Sequence, residues 1–366
     1  MSSISDAVRW LENLFIFMIF FLTKARHTYT MHPLMDEWGD EADVALQLLS
    51  YEELLKRKVI AYGVYIFADI ERLSPPMMNA VVKIADRIEA EWGNAAVQNH
   101  PRKVMLRYQL LTFLYNTGVN NYRVYRAAAV TGECCFPVFL RCANDHRGSL
   151  TGLLNTQQQL RQALRAALRE GVPADQLLVT EYCDTRSEDG WFRKYAAFIA
   201  GGRVIPRHLA FHRDWMVKLQ YSGRADHYAE EMSYLSANPH EERLGEIFSM
   251  AGIGYGRIDY SMDGDNIRVW EINTNPTVIR PRSVYDSMQI GNQQRFAESL
   301  GRALNEVHSA FSSGQGSADL TVSDIGRRYE HERFFFRIKK HARQLVSPRL
   351  VGWLRYCRLR GSFSED

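Results

Sequence analysis

The sequence predicts an α/β protein in which a small strand–helix domain precedes a module built on antiparallel hairpins. Three observations carry this expectation. Strand and helix periodicities alternate between residues 41 and 126, Gly201-Gly202 separates two strand-like runs, and Asp263-Gly264-Asp265-Asn266 separates two more. With 366 residues, 46% of them hydrophobic, the chain is long enough for two or three subdomains.

Within the first domain, residues 51–56 read as helical and VIAYGVYIF at 59–67 as a buried strand. Pro75 and Pro76 open a helix that runs to about Trp92. Residues 103–115 are amphipathic, with Leu106, Leu110, Leu111 and Leu114 at helical spacing, and Gly118 ends them. The second unit opens with the strand PVFLRC, followed by the polar loop NDHRGSLTG, a helix over 156–169 and a strand over 177–182. Strands at 192–199 and 204–211 flank the Gly-Gly turn. A helix near 241–250, strands at 256–262 and 267–273, and a helix over 293–311 complete the unit. SSGQGSA at 312–318 reads as a linker.

A net charge of +3 points away from a nucleic-acid binder, but the distribution is uneven. Nine Lys and Arg and no acid fall between Arg333 and Arg360, leaving −6 on the remainder. This basic tail, rich in Phe, Trp and Leu, suits a helical hairpin broken at Pro348 and packed on the acidic body. It also suits peripheral contact with an anionic membrane, or contact with RNA or an acidic partner. Cys134, Cys135, Cys142, Cys183 and Cys357 are odd in number and lack a C-x-x-C pair, so reduced thiols and a cytoplasmic protein are expected. The nine apolar residues at 14–22 (LFIFMIFFL) fall short of the roughly 20 that span a bilayer. Asp6 and Glu12 before them, with Lys24 and Arg26 after, do not suit a secretory leader. A buried or interfacial helix is expected there.

The segment that carries chemistry is RIDYSMDGDNIRVWEINTNPT, 257–277. Pairing Asp263 with Ile267 across the turn sets Asp259 opposite Glu271. Strand alternation then puts Arg257 and Asp259 on one face with Glu271 and Asn273, while Ile258, Ile272 and Trp270 point away. Opposed carboxylates repel. A divalent cation held by Asp, Glu and Asn oxygens relieves the repulsion, and so does a solvated edge hairpin salt-bridged by Arg257 or Arg268.

Asp259…Glu271-Ile-Asn273 resembles the metal-binding signature of the ATP-grasp superfamily, particularly its D-alanine–D-alanine ligase and glutamate-ligase branches. FPVFLRCANDHRGSLTG resembles the strand and phosphate-covering loop of that fold, with Gly148, Ser149 and Gly152 as loop residues, and LLVTEYCD resembles its hinge. The resemblance spans about 59–310 and implies a small pre-ATP-grasp α/β domain followed by a two-subdomain ATP-grasp module with antiparallel sheets. Its bounds are an apolar extension at 1–40, the first domain at 41–126, and the grasp module at 127–311. That module divides into a lid at 127–185 and a metal-binding part at 186–311; a linker and tail fill 312–366.

Carried over by position, Asp259, Glu271 and Asn273 would hold Mg²⁺ or Mn²⁺, and Arg257 and Lys218 would be catalytic. Glu181 and Cys183 would meet the adenine of ATP, while Gly148, Ser149, Lys218, Arg193 and Lys194 would contact nucleotide or substrate. Arg141 occupies a strand position where the family usually carries an ATP-binding lysine. Arg keeps the charge but is longer and planar. His146 is expected to have a loop-surface role. The implied function is an ATP-dependent ligase that joins a small-molecule or peptide carboxylate to an amine through an acylphosphate. The alternatives are a grasp-type phosphotransferase and a nucleotide-binding, membrane-associated scaffold.

Overall fold

The computed structural model describes residues 18–130, 134–144, 148–217, 223–312 and 319–345. Its first layer is a parallel sheet centred on β1 (Met18–Thr23). β2 (Leu46–Ser50) pairs along one edge of β1 and β3 (Gly63–Phe67) along the other, with β4 (Val97–Gln98) beyond β3. The helix expected over the apolar run is therefore a strand from Met18 onward; residues 14–17 lie outside the described residues. The reason is burial from both sides. Ile19, Phe21 and Leu22 are wholly buried, and a strand covered on both faces loses the alternation that marks it in sequence. The boundary drawn at residue 40 thus falls inside the first domain, because β1 is a central strand of its sheet.

The run expected as one strand over 59–67 is divided. Val59–Ile60 pairs antiparallel with Leu320–Thr321, and only Gly63–Phe67 joins the parallel sheet. α1 (Pro75–Trp92) covers this sheet with Val81, Ile84, Ala85 and Ile88 buried at helical spacing. α2 (Arg107–Asn116) begins one turn later than its apolar spacing suggests, after a turn at 101–103.

A second, antiparallel sheet has β7 (Leu177–Glu181) between β5 (Val124–Arg126) and β6 (Val138–Cys142). α3 (Gln157–Arg169) packs on it through Leu160 and Leu164, and Thr156 caps the helix by accepting from the Gln159 amide at 3.2 Å.

The third sheet runs β9-β8-β10-β11, made of β8 (Phe192–Ala200), β9 (Arg203–His212), β10 (Tyr255–Asp263) and β11 (Asn266–Asn273). Gly201 and Gly202 turn β8 into β9 at φ +57° and +83°, the left-handed region a tight hairpin needs. α4 (Ala225–Ala237), which the periodicity did not reveal, and α5 (Glu241–Met250) follow β9. α6 (Ser287–Ser312) closes the unit.

The first part of the tail is α7 (Ser323–Leu345), anchored by buried Ile325 and Tyr329 and by an Arg87–Asp324 ion pair at 2.8 Å. Phe334, Phe335, Phe336 and Ile338 are exposed further along it. Pro348 lies outside the described residues. No helix among the described residues is long and apolar enough to cross a membrane.

Candidate active site

The hairpin of β10 and β11 places Asp259 directly opposite Glu271, and Arg257 opposite Asn273. The pairing expected from sequence is reached by a different route. The turn is one residue tighter, with Asp263 opposite Asn266, and a bulge at Trp270 shifts the register back between Tyr260 and Asp259. A bulge sets two residues against one and re-aims a side chain. Trp270, expected on the far face, accordingly lines the same cleft as Glu271. Its ring stacks on Tyr122 at 5.3 Å, and its Nε1 donates to Ser261 Oγ at 2.9 Å.

That cleft has a volume of about 570 Å³ and lies between the second and third sheets. The structure brings Arg141, Gly148, Ser149, Cys183, Lys194, Arg257, Asp259, Glu271 and Asn273 together along it. Lys218, Asp145 and His146 lie outside the described residues.

Arg193 is separated from Lys194 because successive strand residues face opposite sides. Its guanidinium pairs with Asp189 at 2.8 Å and Glu230 at 2.7 Å instead. Glu181 is buried away from the cleft. Its carboxylate accepts from the amides of Arg123 and Cys135 at 2.8 Å each and from the Tyr125 hydroxyl at 2.9 Å, so it serves the small sheet. Neighbouring Cys183 does reach the cleft, and burial pushes its thiol up to about 11, which leaves it a poor nucleophile.

Each of the opposed carboxylates is held by two cations. Asp259 accepts from Arg257 Nε at 2.9 Å and from Lys194 Nζ at 3.2 Å. Glu271 Oε2 accepts from Arg141 at 2.8 Å and from Arg107, whose guanidinium also donates to the Cys142 carbonyl at 2.7 Å. Charge repulsion across the hairpin is thus offset by four basic side chains from α2, β6, β8 and β10. Burial, with the Arg107 charge adding to it, lowers the affinity of Arg141 for its proton, so the Arg141–Glu271 pair has a substantial desolvation cost.

Arg107 escaped the sequence reading although its signal was present. It shares a helical face with Leu110, Leu111 and Leu114, and a charge on an apolar stripe calls for a buried partner.

The loop after β6 folds back over that strand. The Leu150 amide donates to the Leu140 carbonyl at 2.7 Å, and the Ser149 hydroxyl bonds within the loop. Gly148 sits at φ +98° facing Met216, a backbone position that favours glycine. Phe139 and Trp215 (4.9 Å between rings), with Tyr182 edge-on to Trp215 at 5.9 Å, form an aromatic wall on this side. A flat aromatic ring would find stacking partners there.

Among the described residues no group of three His, Cys, Asp or Glu is arranged to hold a metal. The oxygen donors of Asp259, Glu271 and Asn273 nevertheless line the cleft at adjacent register positions, and hard oxygens suit a small divalent cation.

The fold and site together define the chain as an α/β protein with a cationic cleft between two antiparallel sheets. No protein-family model and no curated protein matches the sequence. Among solved structures, the chain is similar to a RimK domain ATP-grasp protein from Sphaerobacter thermophilus. Identity is 12%, coverage is 78% of this chain and 99% of that one, and the TM-score is 0.44. It is also similar to a D-alanine–D-alanine ligase from Coxiella burnetii, at 13% identity, 89% and 99% coverage and a TM-score of 0.44. A third likeness is an L-amino acid ligase from Bacillus licheniformis, at 10% identity, 71% and 67% coverage and a TM-score of 0.39.

Proposed function

We propose that this chain is an ATP-dependent ligase that activates a carboxylate for attack by an amine. The observation that carries the reading is the Asp259–Glu271 opposition, with Asn273 beside it, in a cleft that also presents Arg141, Lys194 and Arg257. Three cations and three oxygen donors around one cleft suit a nucleoside triphosphate, and the wall of Phe139, Tyr182 and Trp215 suits its base. Mg²⁺ or Mn²⁺ on Asp259, Glu271 and Asn273 would supply charge neutralisation on the phosphate oxygens.

In the first step a substrate carboxylate oxygen bonds to the γ-phosphorus, and the bond from that phosphorus to the β-bridging oxygen breaks, releasing ADP. Arg257 and Lys194, both on the cleft, would stabilise the transferring phosphoryl. In the second step the amine nitrogen bonds to the acyl carbon. The carbon–oxygen bond to phosphate breaks, and the amine proton leaves to solvent. Gly148 and Ser149 line the cleft beside Arg141, and a loop closing there would protect an acylphosphate from water.

The test is turnover on the full chain with Mg²⁺·ATP. ADP and inorganic phosphate released only when a carboxylate and an amine are both present supports the ligase. A phosphorylated product in place of free phosphate would make the protein a phosphotransferase. Nucleotide binding with no turnover across the substrate panel would make it a scaffold.

A further inference from the structure

The cleft contains a second group of basic side chains beside those on the opposed carboxylates. Arg207 is the extra residue of a bulge in β9: Pro206 pairs with Ala197 and His208 with Ala196, and Arg207 has no place in the register between them. Neighbours on a regular strand face opposite ways, yet Arg207 and His208 both line the cleft, as a bulge allows. Arg207 is fixed by its Nε, which donates to the Val278 carbonyl at 3.1 Å, and by its guanidinium, which lies 4.3 Å from the centre of the Phe296 ring.

Arg280 joins them from the segment after β11. Its backbone is pinned on both sides: its amide donates to the Tyr285 hydroxyl at 3.1 Å, and its carbonyl accepts from Trp38 Nε1 at 3.0 Å. Its side chain is exposed and lines the cleft. His208 is only 7% exposed, and it lines the cleft beside Arg207.

We propose that Arg207, His208 and Arg280 form an anion subsite, so that the carboxylate substrate carries a second acidic group held there while the first is activated. The proposal rests on the ligase reading above and narrows it to dianionic substrates. Arg207 and Arg280 come from elements other than those carrying Arg141, Lys194 and Arg257, and all five line the same cleft.

The test measures binding without turnover, using the full chain saturated with Mg²⁺ and a non-hydrolysable ATP analogue. Succinate, glutamate and phosphoserine are compared with acetate, alanine and serine by calorimetry. The dianions are expected to bind at least tenfold tighter than the monoanionic or uncharged counterparts. Succinate and glutamate against phosphoserine tells whether the second group is a carboxylate or a phosphate. Arg280→Gln, at an exposed side chain, is expected to weaken the dianion tenfold or more while changing analogue affinity less than twofold; His208→Gln serves as the second variant. Equal binding of succinate and acetate overturns the proposal, and so does an Arg280→Gln variant that weakens analogue and dianion alike. Failure of the analogue itself to bind would instead remove the nucleotide reading.

Discussion

Arg107 and Glu271 form a part-buried ion pair across 164 residues of chain, and through it the opening turn of α2 is tied to the strand that carries the candidate metal face. Arg141 shares the same carboxylate oxygen. Glu271 is therefore both a structural junction and a candidate ligand, and a polyphosphate that drew Arg141 away would change its charge environment at once.

Truncating Arg107 tests the junction. Arg107→Ala removes one partner of the pair and also the Arg107 hydrogen bond to the Cys142 carbonyl. Breaking such a pair costs about 3–5 kcal/mol. Chemical unfolding should show a loss of that size, partly restored in Arg107→Lys. A loss below about 1 kcal/mol would show that the pair is not maintained in solution.

The aromatic wall makes a prediction specific to the base. Removing an aromatic partner from a stacked base costs about 1–3 kcal/mol, or about 5- to 150-fold in affinity. Trp215→Ala should weaken ATP by that factor and leave inorganic triphosphate unchanged, as read by calorimetry. Equal weakening of both ligands would place Trp215 away from the base.

His208 sets a pH dependence. Burial holds its imidazole well below the usual histidine range, and Arg257, Arg207, Lys194 and Arg280 push it in the same direction. Above pH about 6.5 neither the folded nor the unfolded chain protonates this ring. Below it only the unfolded chain does, so folding stability falls as pH drops, by at most about 1.4 kcal/mol per pH unit for one proton. In His208→Gln the fall in melting temperature between pH about 7 and about 5.5 should be smaller than in the wild type. An identical fall would mean that His208 is already protonated in the folded protein.

Much of the site was legible from alternation along two strands. Arg257, Asp259, Glu271 and Asn273 all line the cleft, but Asp259 meets Glu271 because the bulge at Trp270 offsets a turn one residue tighter than strict alternation assumes. Trp270 was misplaced because a bulge is a one-residue event with no periodic signature. For Arg207 and His208 the hint was local, since Pro206 interrupts a strand pattern and proline in a strand marks an edge or a bulge. Grouping Arg193 with Lys194 neglected the alternation that located Asp259. In the first domain, β1 was read as helix because a short apolar run has no period to distinguish the two; only its neighbours β2 and β3 decide.

The central claim is that the paired carboxylates of β10 and β11 grip a metal–triphosphate complex. It is tested most directly by titrating ATP into wild type, Asp259→Asn and Glu271→Gln with and without Mg²⁺. The account predicts tight, Mg²⁺-dependent binding to the wild type, with that dependence lost in both folded variants and turnover reduced at least a hundredfold. Unchanged Mg²⁺-dependent affinity and turnover in either variant would contradict it.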